Sequence, residues 1–194
     1  MYFKSAISGL TLLILGITAP VSVQAQSIRV QLSDDVARFF YSTEIMGQRF
    51  GGLELETGLL YTEDSDYMLS VGAMVRGESV DMPIIVGVGG RLYYGDFDSG
   101  PNDRTVGALA IGGEVLISPA SWGGFGIGAS LFHAPSVTSF SDAEDFTEYN
   151  FTLNYQITSQ ANIYVGKQVI EADIEGIGNV ELEDDTFIGI DMRF

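Results

Sequence analysis

The segment Thr186–Phe194 (TFIGIDMRF) decides the fold class of this chain. Every second residue from Ile188 to Phe194 is large and apolar, whereas the residues between them include Asp191 and Arg193. A period of two is the pattern of a β-strand whose two faces meet different surroundings. The charged face does not suit the core of a soluble protein, yet the apolar face has the character of a fully buried surface. The segment therefore predicts a strand in the wall of a transmembrane barrel, with lipid outside and a polar lumen inside.

The same segment predicts how the protein is inserted. An aromatic residue ends an amphipathic last strand, and this arrangement resembles the signal that outer-membrane barrels present to the barrel-assembly machinery. The residues that we assign to this assembly signal are Ile188, Ile190, Met192 and Phe194.

The amino-terminal segment has the pattern of an export signal. Lys4 supplies a positive start, residues 6–19 form an apolar run, and Val23-Gln24-Ala25 is an acceptable cleavage site that no cysteine follows. A retained membrane helix is the alternative, but the run is short for one and ends at Pro20. We therefore expect a signal peptide over residues 1–25 and a single barrel domain over residues 26–194.

Composition excludes several classes of protein. The chain has no cysteine, so disulfide scaffolds and thiolate metal sites are excluded. It carries 26 acidic and 9 basic residues, a net charge of −17. Nucleic acid is not an expected partner, because phosphate binding needs a basic surface. Beyond the export signal, the longest apolar stretch (residues 82–90) is far shorter than the roughly 20 residues of a spanning helix.

Two-residue periodicity recurs from residue 27 to the end of the chain, and no segment has a helical period. Two short strands at Ile28–Leu32 and Ala37–Tyr41, with a turn at Asp34-Asp35, precede eight clear ones. We therefore predict an all-β, antiparallel, up-and-down barrel of ten strands, with eight strands and a periplasmic segment as the alternative. A soluble β-sandwich also alternates, but its polar face would be richer in Lys and Glu than this one. The eight clear strands are centred on residues 53–61, 67–76, 84–94, 108–117, 124–131, 148–157, 163–169 and 186–194.

The connections alternate between short periplasmic turns and long outer loops, as in bacterial barrels. The expected inner turns are residues 77–81, 118–121 and 158–160, and the expected outer loops are residues 62–66, 97–103, 134–146 and 171–185. Acidic residues concentrate on the side of the outer loops, which holds 16 of the 26: Glu63, Asp64, Asp66, Asp96, Asp98, Asp103, Asp142, Glu144, Asp145, Glu171, Asp173, Glu175, Glu181, Glu183, Asp184 and Asp185.

Aromatic residues at the strand ends predict the two interfacial girdles of a membrane barrel. The expected outer girdle is Tyr61, Tyr67, Tyr94 and Tyr149, and the expected inner girdle is Phe125, Tyr155 and Phe194.

The lumen is the first candidate for a functional site. A barrel of eight to ten strands is barely wider than its own side chains, so charges inside it should form a paired network. A filled, closed interior and a narrow, gated solute path both agree with this network. The charged residues in the inward phase are Arg29, Arg38, Glu54, Glu56, Arg76, Arg91, Glu114, Glu148, Asp191 and Arg193.

Two features of the outer rim are candidate chemical sites. His133, the sole histidine, lies near Ser136 and Ser139, but a nucleophilic site needs a third, orienting group. We therefore expect no enzymatic activity and no catalytic residue. The acidic segment 96–103 does not match EF-hand spacing, and we expect no cofactor beyond loosely bound Ca²⁺ or Mg²⁺ at Asp96, Asp98 and Asp103.

Three segments resemble a known family. VGVGGRLYYGD (Val86–Asp96), FHAPSVTSFSDAEDF (Phe132–Phe146) and NIYVGKQ (Asn162–Gln168) are similar to the YfaZ-like outer-membrane proteins. The resemblance extends over most of the chain beyond the export signal. It implies a small β-barrel in the outer membrane of a Gram-negative bacterium and implies no reaction.

The sequence thus predicts a protein of the cell outer membrane that contacts lipid and lipopolysaccharide. We expect a structural or interaction role with a narrow or closed lumen. A porin-like channel for small cationic solutes is the alternative, and a rim enzyme acting on lipid A is a third hypothesis. No oligomeric state follows from the sequence.

Overall fold

The structure is a computed structural model, which describes residues 24–48, 51–63, 66–79, 82–98, 103–174, 176 and 178–194. Most of the predicted signal peptide, residues 1–23, lies outside the described residues. Gln24 and Ala25 open the first strand, and the cleavage site after Ala25 stays a prediction. Among the described residues, no helix is long and apolar enough to cross a bilayer.

The described residues form eleven strands and one turn of 3₁₀ helix, at Ala120–Trp122. Ten of the strands form the barrel, and the three-residue strand β8 lies in a loop and pairs with β6. The strands are β1 (Gln24–Leu32), β2 (Val36–Gln48), β3 (Gly51–Thr62), β4 (Tyr67–Glu78), β5 (Ile84–Asp98), β6 (Asp103–Ile117), β7 (Phe125–Ala134), β8 (Ser139–Ser141), β9 (Ala143–Gln156), β10 (Ala161–Ile174) and β11 (Gly178–Arg193).

The barrel closes between its first and last strands. Each barrel strand pairs antiparallel with the next one along the chain, and β1 pairs with β11, with Ser27 opposite Arg193 and Leu32 opposite Ile188. Closure pairs the backbone groups that an open edge would leave free, which is the requirement for a sheet in lipid. The ten-strand prediction is confirmed, because β1 and β2 are part of the wall and not a separate periplasmic segment.

The outside of the barrel is apolar. Along β4 the side chains alternate strictly between exposed and buried from Tyr67 to Ala73, as a strand between two different media requires. Ile111 is 71% exposed and Phe151 62% exposed, although neither residue has a polar group in its side chain. A belt of such residues around a closed sheet is the surface that faces lipid.

The aromatic residues predicted for the girdles all lie on this outer surface, with between 39% and 58% of each side chain exposed. Tyr61 pairs directly with Tyr67 at the outer end of β3 and β4. At the opposite end, the rings of Phe125 and Tyr155 lie 4.8 Å apart, and Phe194 follows the last residue of β11.

Strands extend into three of the predicted outer loops. Within residues 97–103, β5 runs to Asp98 and β6 starts at Asp103. Within residues 134–146 and 171–185, β9 starts at Ala143, β10 runs to Ile174 and β11 starts at Gly178. Ile170, Ala172 and Ile174 alternate with acids and are buried inside the barrel. The ladder therefore extends beyond the tyrosine girdle, and the described acidic residues of segment 171–185 project from β10 and β11 and not from a free loop.

The other connections agree with the expected positions. Residues 63–66 join β3 to β4, residues 157–160 join β9 to β10, and residues 118–124 join β6 to β7. The end of the barrel that carries these last two turns also carries the start of β1 and the carboxyl-terminal Phe194, where the Gln26 N–H donates to the Phe194 carbonyl (3.1 Å). In bacterial barrels this is the periplasmic end.

Candidate functional site

The interior of the barrel is divided into three layers. Toward the extracellular end it is packed with apolar side chains, which we call the apolar plug. At mid-height it holds a network of charged groups, and toward the periplasmic end it opens into a polar cavity.

The apolar plug fills the extracellular half of the bore. Tyr93 and Phe146 stack with ring centroids 4.5 Å apart, and neither residue has any exposed surface. Ala108 and Ala110 on β6 are small, and so leave space for the rings opposite them. The buried members of the plug are Leu60, Met68, Met74, Tyr93, Phe97, Val106, Ala108, Ala110, Phe132, Ala134, Ala143, Phe146, Ile170, Ala172 and Ile174.

The central charge network lies directly below the plug. Arg91 donates to Glu56 (2.7 Å) and to Glu148 (3.3 Å), and its guanidinium carbon lies 4.1 Å from the centre of the Phe132 ring. Arg29 pairs with Glu56 (2.9 Å) and Arg38 with Glu148 (3.5 Å). Each carboxylate is therefore held between two arginines, which offsets the cost of removing these charges from water.

A second group of charges lies nearer the periplasm. Arg76 donates to both Glu54 and Glu114. Asp191 lies 3.9 Å from Arg29 and 3.9 Å from Arg193.

All ten charged residues predicted for the lumen therefore lie on the inward face and contact a partner of opposite sign. Five arginines face five carboxylates in this set, so the set is formally neutral although the chain carries −17. The acidic excess lies elsewhere on the molecule.

The polar cavity has a volume of about 650 Å³ and is lined at its mouth by residues of the periplasmic turns, including Ser118 and Gly124. Asn150, Asn154 and Gln156 contribute amide groups to its wall. The wall also depends on Gly189, because a Cβ at this position would lie 2.3 Å from the ring of Tyr164. The cavity is a cup that opens toward the periplasm and ends at the charge network.

A second cavity, of about 400 Å³, lies at the extracellular rim, and we call it the acidic cleft. Glu183 is at its base, where it is only 8% exposed. Tyr149 of the girdle pairs with Val169, and Val169 pairs with Asp184, so Asp184 lies level with the girdle. Glu183 is the next residue toward the extracellular end of β11 and therefore lies on the extracellular side of the girdle. Burial raises the pKa of Glu183 to about 7. The residues that line the acidic cleft are Asp35, Val36, Thr62, Glu63, Asp66, Glu181, Leu182, Glu183, Asp184 and Asp185.

His133 faces outward at the rim and is half-exposed. Its Nδ1 lies 3.0 Å from Thr147 Oγ1 and 3.6 Å from Asp145 Oδ1. Both partners use the same ring nitrogen, whereas a catalytic relay needs partners on opposite nitrogens. The hydroxyl of Ser139 donates instead to the carbonyls of Ala134 and Pro135.

The predicted metal residues lie at the ends of β5 and β6. Asp98 pairs with Asp103 in the backbone ladder, and the segment between them lies outside the described residues. Asp96 lies two ladder steps further toward the membrane, opposite Thr105. Among the described residues, no group of three or more His, Asp or Glu side chains is placed to hold one metal ion.

Sequence reasoning missed two features, the apolar plug and the depth of Glu183. The plug had a signal: Tyr93, Phe132 and Phe146 share the inward phase with glycine and serine residues, and large rings in that phase predict filled space. Glu183 had a partial signal, because it continues the inward phase of Phe187, Gly189 and Asp191, and the bulge in the pairing between β10 and β11 begins only beyond it. Its acidic segment was nevertheless predicted to be an outer loop.

A closed ten-stranded antiparallel barrel with an apolar exterior and a charged interior is an outer-membrane β-barrel. A family model described as YfaZ precursor matches residues 3–194, and the chain belongs to this family. The protein is therefore an exported outer-membrane protein, as the sequence predicted. No curated protein matches the chain.

Several solved structures show a distant similarity to this chain. A chain described as "Unveiling the Mechanism Behind the in-meso Crystallization of Membrane Proteins" has 12% identity and a TM-score of 0.46, covering 88% of this chain and 83% of that one. A chain described as "NanC porin structure in rhombohedral crystal form" has 14% identity and a TM-score of 0.45, covering 86% and 98%. A "Bacterial polysaccharide outer membrane secretin" has 11% identity and a TM-score of 0.42, covering 82% of this chain and 55% of that one.

Proposed function

We propose that this protein is a structural and interaction barrel of the outer membrane, closed toward the exterior and open toward the periplasm. The apolar plug carries this proposal. Its rings at Tyr93, Phe132 and Phe146 are fully buried across the extracellular half of the bore. A permeant ion would have to displace these rings and give up its hydration in an apolar environment, which costs several kcal/mol at least, an order-of-magnitude figure for a buried charge.

The acidic outer surface supports the interaction role. The ten predicted lumen charges sum to zero, so the net negative charge of the chain comes from other residues, many of them at the extracellular rim. A strongly acidic rim raises the local concentration of cations and repels anionic partners. Lipid and lipopolysaccharide around the wall, and the barrel-assembly machinery during insertion, remain the partners that we predict.

A porin-like channel is the second candidate function, and the polar cavity favours it. Water-accessible space already reaches from the periplasmic mouth to the charge network. Movement of the plug and of the charge network beneath it would join this space to the exterior. A path opened in this way should prefer cations, because the acidic cleft lies at its outer end.

Single-channel recording in planar bilayers separates the two candidates. We expect no ohmic current steps from the wild-type barrel and frequent steps from the double variant Phe132→Ala, Phe146→Ala, which removes two rings of the plug. Phe132→Leu is the matched control and should stay closed, because it keeps most of the buried volume. Insertion of each variant is checked by the heat-dependent shift of the folded barrel on SDS gels.

Steady, cation-selective steps from the wild type would overturn the proposal and establish the channel. If the double variant folds and stays silent, the plug is not the element that closes the bore, and the proposal fails in that form.

A further inference from the structure

The acidic cleft has the geometry of a ligand site on the extracellular rim. It lies between the β1–β2 turn, the β3–β4 turn and the extracellular part of β11. The Glu63 N–H donates to the Asp35 carbonyl (2.8 Å), which fixes the two turns against each other. The volume of about 400 Å³ falls within the roughly 300–1,000 Å³ of small-molecule pockets.

Glu183 is a buried carboxylate without a matching cation. Its Oε2 is buried and has no hydrogen-bond partner among the described residues. Arg38, the cation that acts on Glu183 electrostatically, forms its ion pair with Glu148 (3.5 Å). A buried charge left in this way is costly, and a bound cation would relieve that cost.

The rest of the acidic cleft adds to the negative potential. Two of its carboxylates are held in place, Asp185 by the Ser33 hydroxyl (2.9 Å) and Asp184 by the Lys167 ammonium on the outer wall (2.7 Å). Glu63 and Glu181 are exposed. Among the described residues that line the cleft, none is basic.

The distribution of these carboxylates selects the kind of cation. A calcium ion needs six to eight oxygens that converge on one point, and the described residues contain no converging group of three acidic side chains. The carboxylates instead lie on three separate segments around the cleft. Val36 and Leu182 lie between them in the lining and offer apolar contact to methylene groups.

We propose that the acidic cleft binds a linear organic polycation, such as a polyamine, with one ammonium group on Glu183 and the others on the rim carboxylates. This inference rests on the proposed function in one respect, since the rim must be presented at the exterior. A carboxylate with a raised pKa also predicts that binding near pH 7 releases a proton.

Calorimetric titration of the refolded full barrel in uncharged detergent tests the proposal, with spermidine as the probe. We expect saturable binding that weakens about tenfold in Glu183→Gln, a loss typical of one charged hydrogen bond. The matched control is Glu144→Gln, which removes an exposed rim carboxylate outside the acidic cleft and should change the affinity by less than about twofold. Heat-dependent gel shifts confirm that each variant is folded.

Two results would overturn the proposal. The first is an equal effect of Glu183→Gln and Glu144→Gln on the spermidine affinity. Equal effects would show diffuse attraction to the acidic rim, or that Glu183 acts only inside the bore with Arg38. The second is full competition by Mg²⁺ at matched ionic strength, which would show a site for a small ion. If Glu183→Gln does not fold, the double variant Glu63→Gln, Glu181→Gln makes the same test at exposed positions.

The failure of this proposal is distinguishable from failure of the proposed function. Current steps from the wild type with intact, Glu183-dependent spermidine binding would overturn the closed barrel alone. A silent barrel that does not bind spermidine would overturn the polycation site alone.

Discussion

Replacement of Arg76 by methionine tests how the lumen charges stabilise the barrel. Arg76 is the cation that contacts both Glu54 and Glu114, so Arg76→Met leaves two neighbouring carboxylates without their partner. Removing one partner of a buried pair costs about 3–5 kcal/mol, whereas exposed pairs contribute about 0–1 kcal/mol. The three side chains are between 19% and 23% exposed and border the polar cavity. We therefore expect the lower end of the buried range, about 3 kcal/mol.

The measurement is urea-induced unfolding in detergent or lipid, followed by the fluorescence of Trp122, the single tryptophan of the chain. The triple variant Arg76→Met, Glu54→Gln, Glu114→Gln removes the whole charged set and should recover to within about 1 kcal/mol of the wild type, because neutral groups of similar volume leave no unpaired charge. The reasoning is refuted if Arg76→Met costs less than about 1 kcal/mol, or if the triple variant is as unstable as the single one.

Three further predictions concern other parts of the interior. Burial raises the pKa of Glu183 to about 7. Between about pH 4.5 and 7 the native state therefore binds more protons than the unfolded state, and the stability of the barrel falls as the pH rises through this window. Glu183→Gln should therefore leave the unfolding free energy unchanged near pH 4 and raise it at pH 8 by up to about 3 kcal/mol, and an equal effect at both pH values would contradict the assignment. Gly189→Ala places a methyl group on the Tyr164 ring and should lower the unfolding free energy by about 1–3 kcal/mol in the same assay. Adding Tyr164→Ala should remove that clash, and strictly additive changes in unfolding free energy would disprove the contact. Phe132→Ala should cost about 3–5 kcal/mol and Phe132→Leu less than about 1.5 kcal/mol, and similar costs for the two would show that the ring is not tightly packed.

Much of the wall could be predicted because lipid and lumen impose opposite demands on alternate residues. The pattern at Leu55, Glu56 and Leu59 assigns each residue to one face without any knowledge of its neighbours. The short strands β1 and β2 were predicted from the same alternation, and the structure pairs them with β11 and β3. The inward position of the lumen charges follows from strand phase alone.

The extracellular part of the barrel was predicted less well. Segments such as residues 171–185 are dense in acids, and high charge favours loop over strand when a sequence is considered one segment at a time. In the structure Ile170, Ala172 and Ile174 meet rings from distant strands inside the bore, and this contact extends the ladder. Pairing between residues so far apart leaves no local signal.

The amino-acid sequence alone determined the closed antiparallel wall, its lipid-facing side and its membrane, because period-two alternation is a local property that every strand carries by itself. The tertiary structure alone decided which half of the bore is filled, which arginine holds which carboxylate, and that Glu183 lies buried beneath the acidic cleft. These features depend on the register between strands far apart in the chain, and a shift of one residue in that register would exchange the inward and outward faces of a strand. The sequence of a single strand does not contain that register.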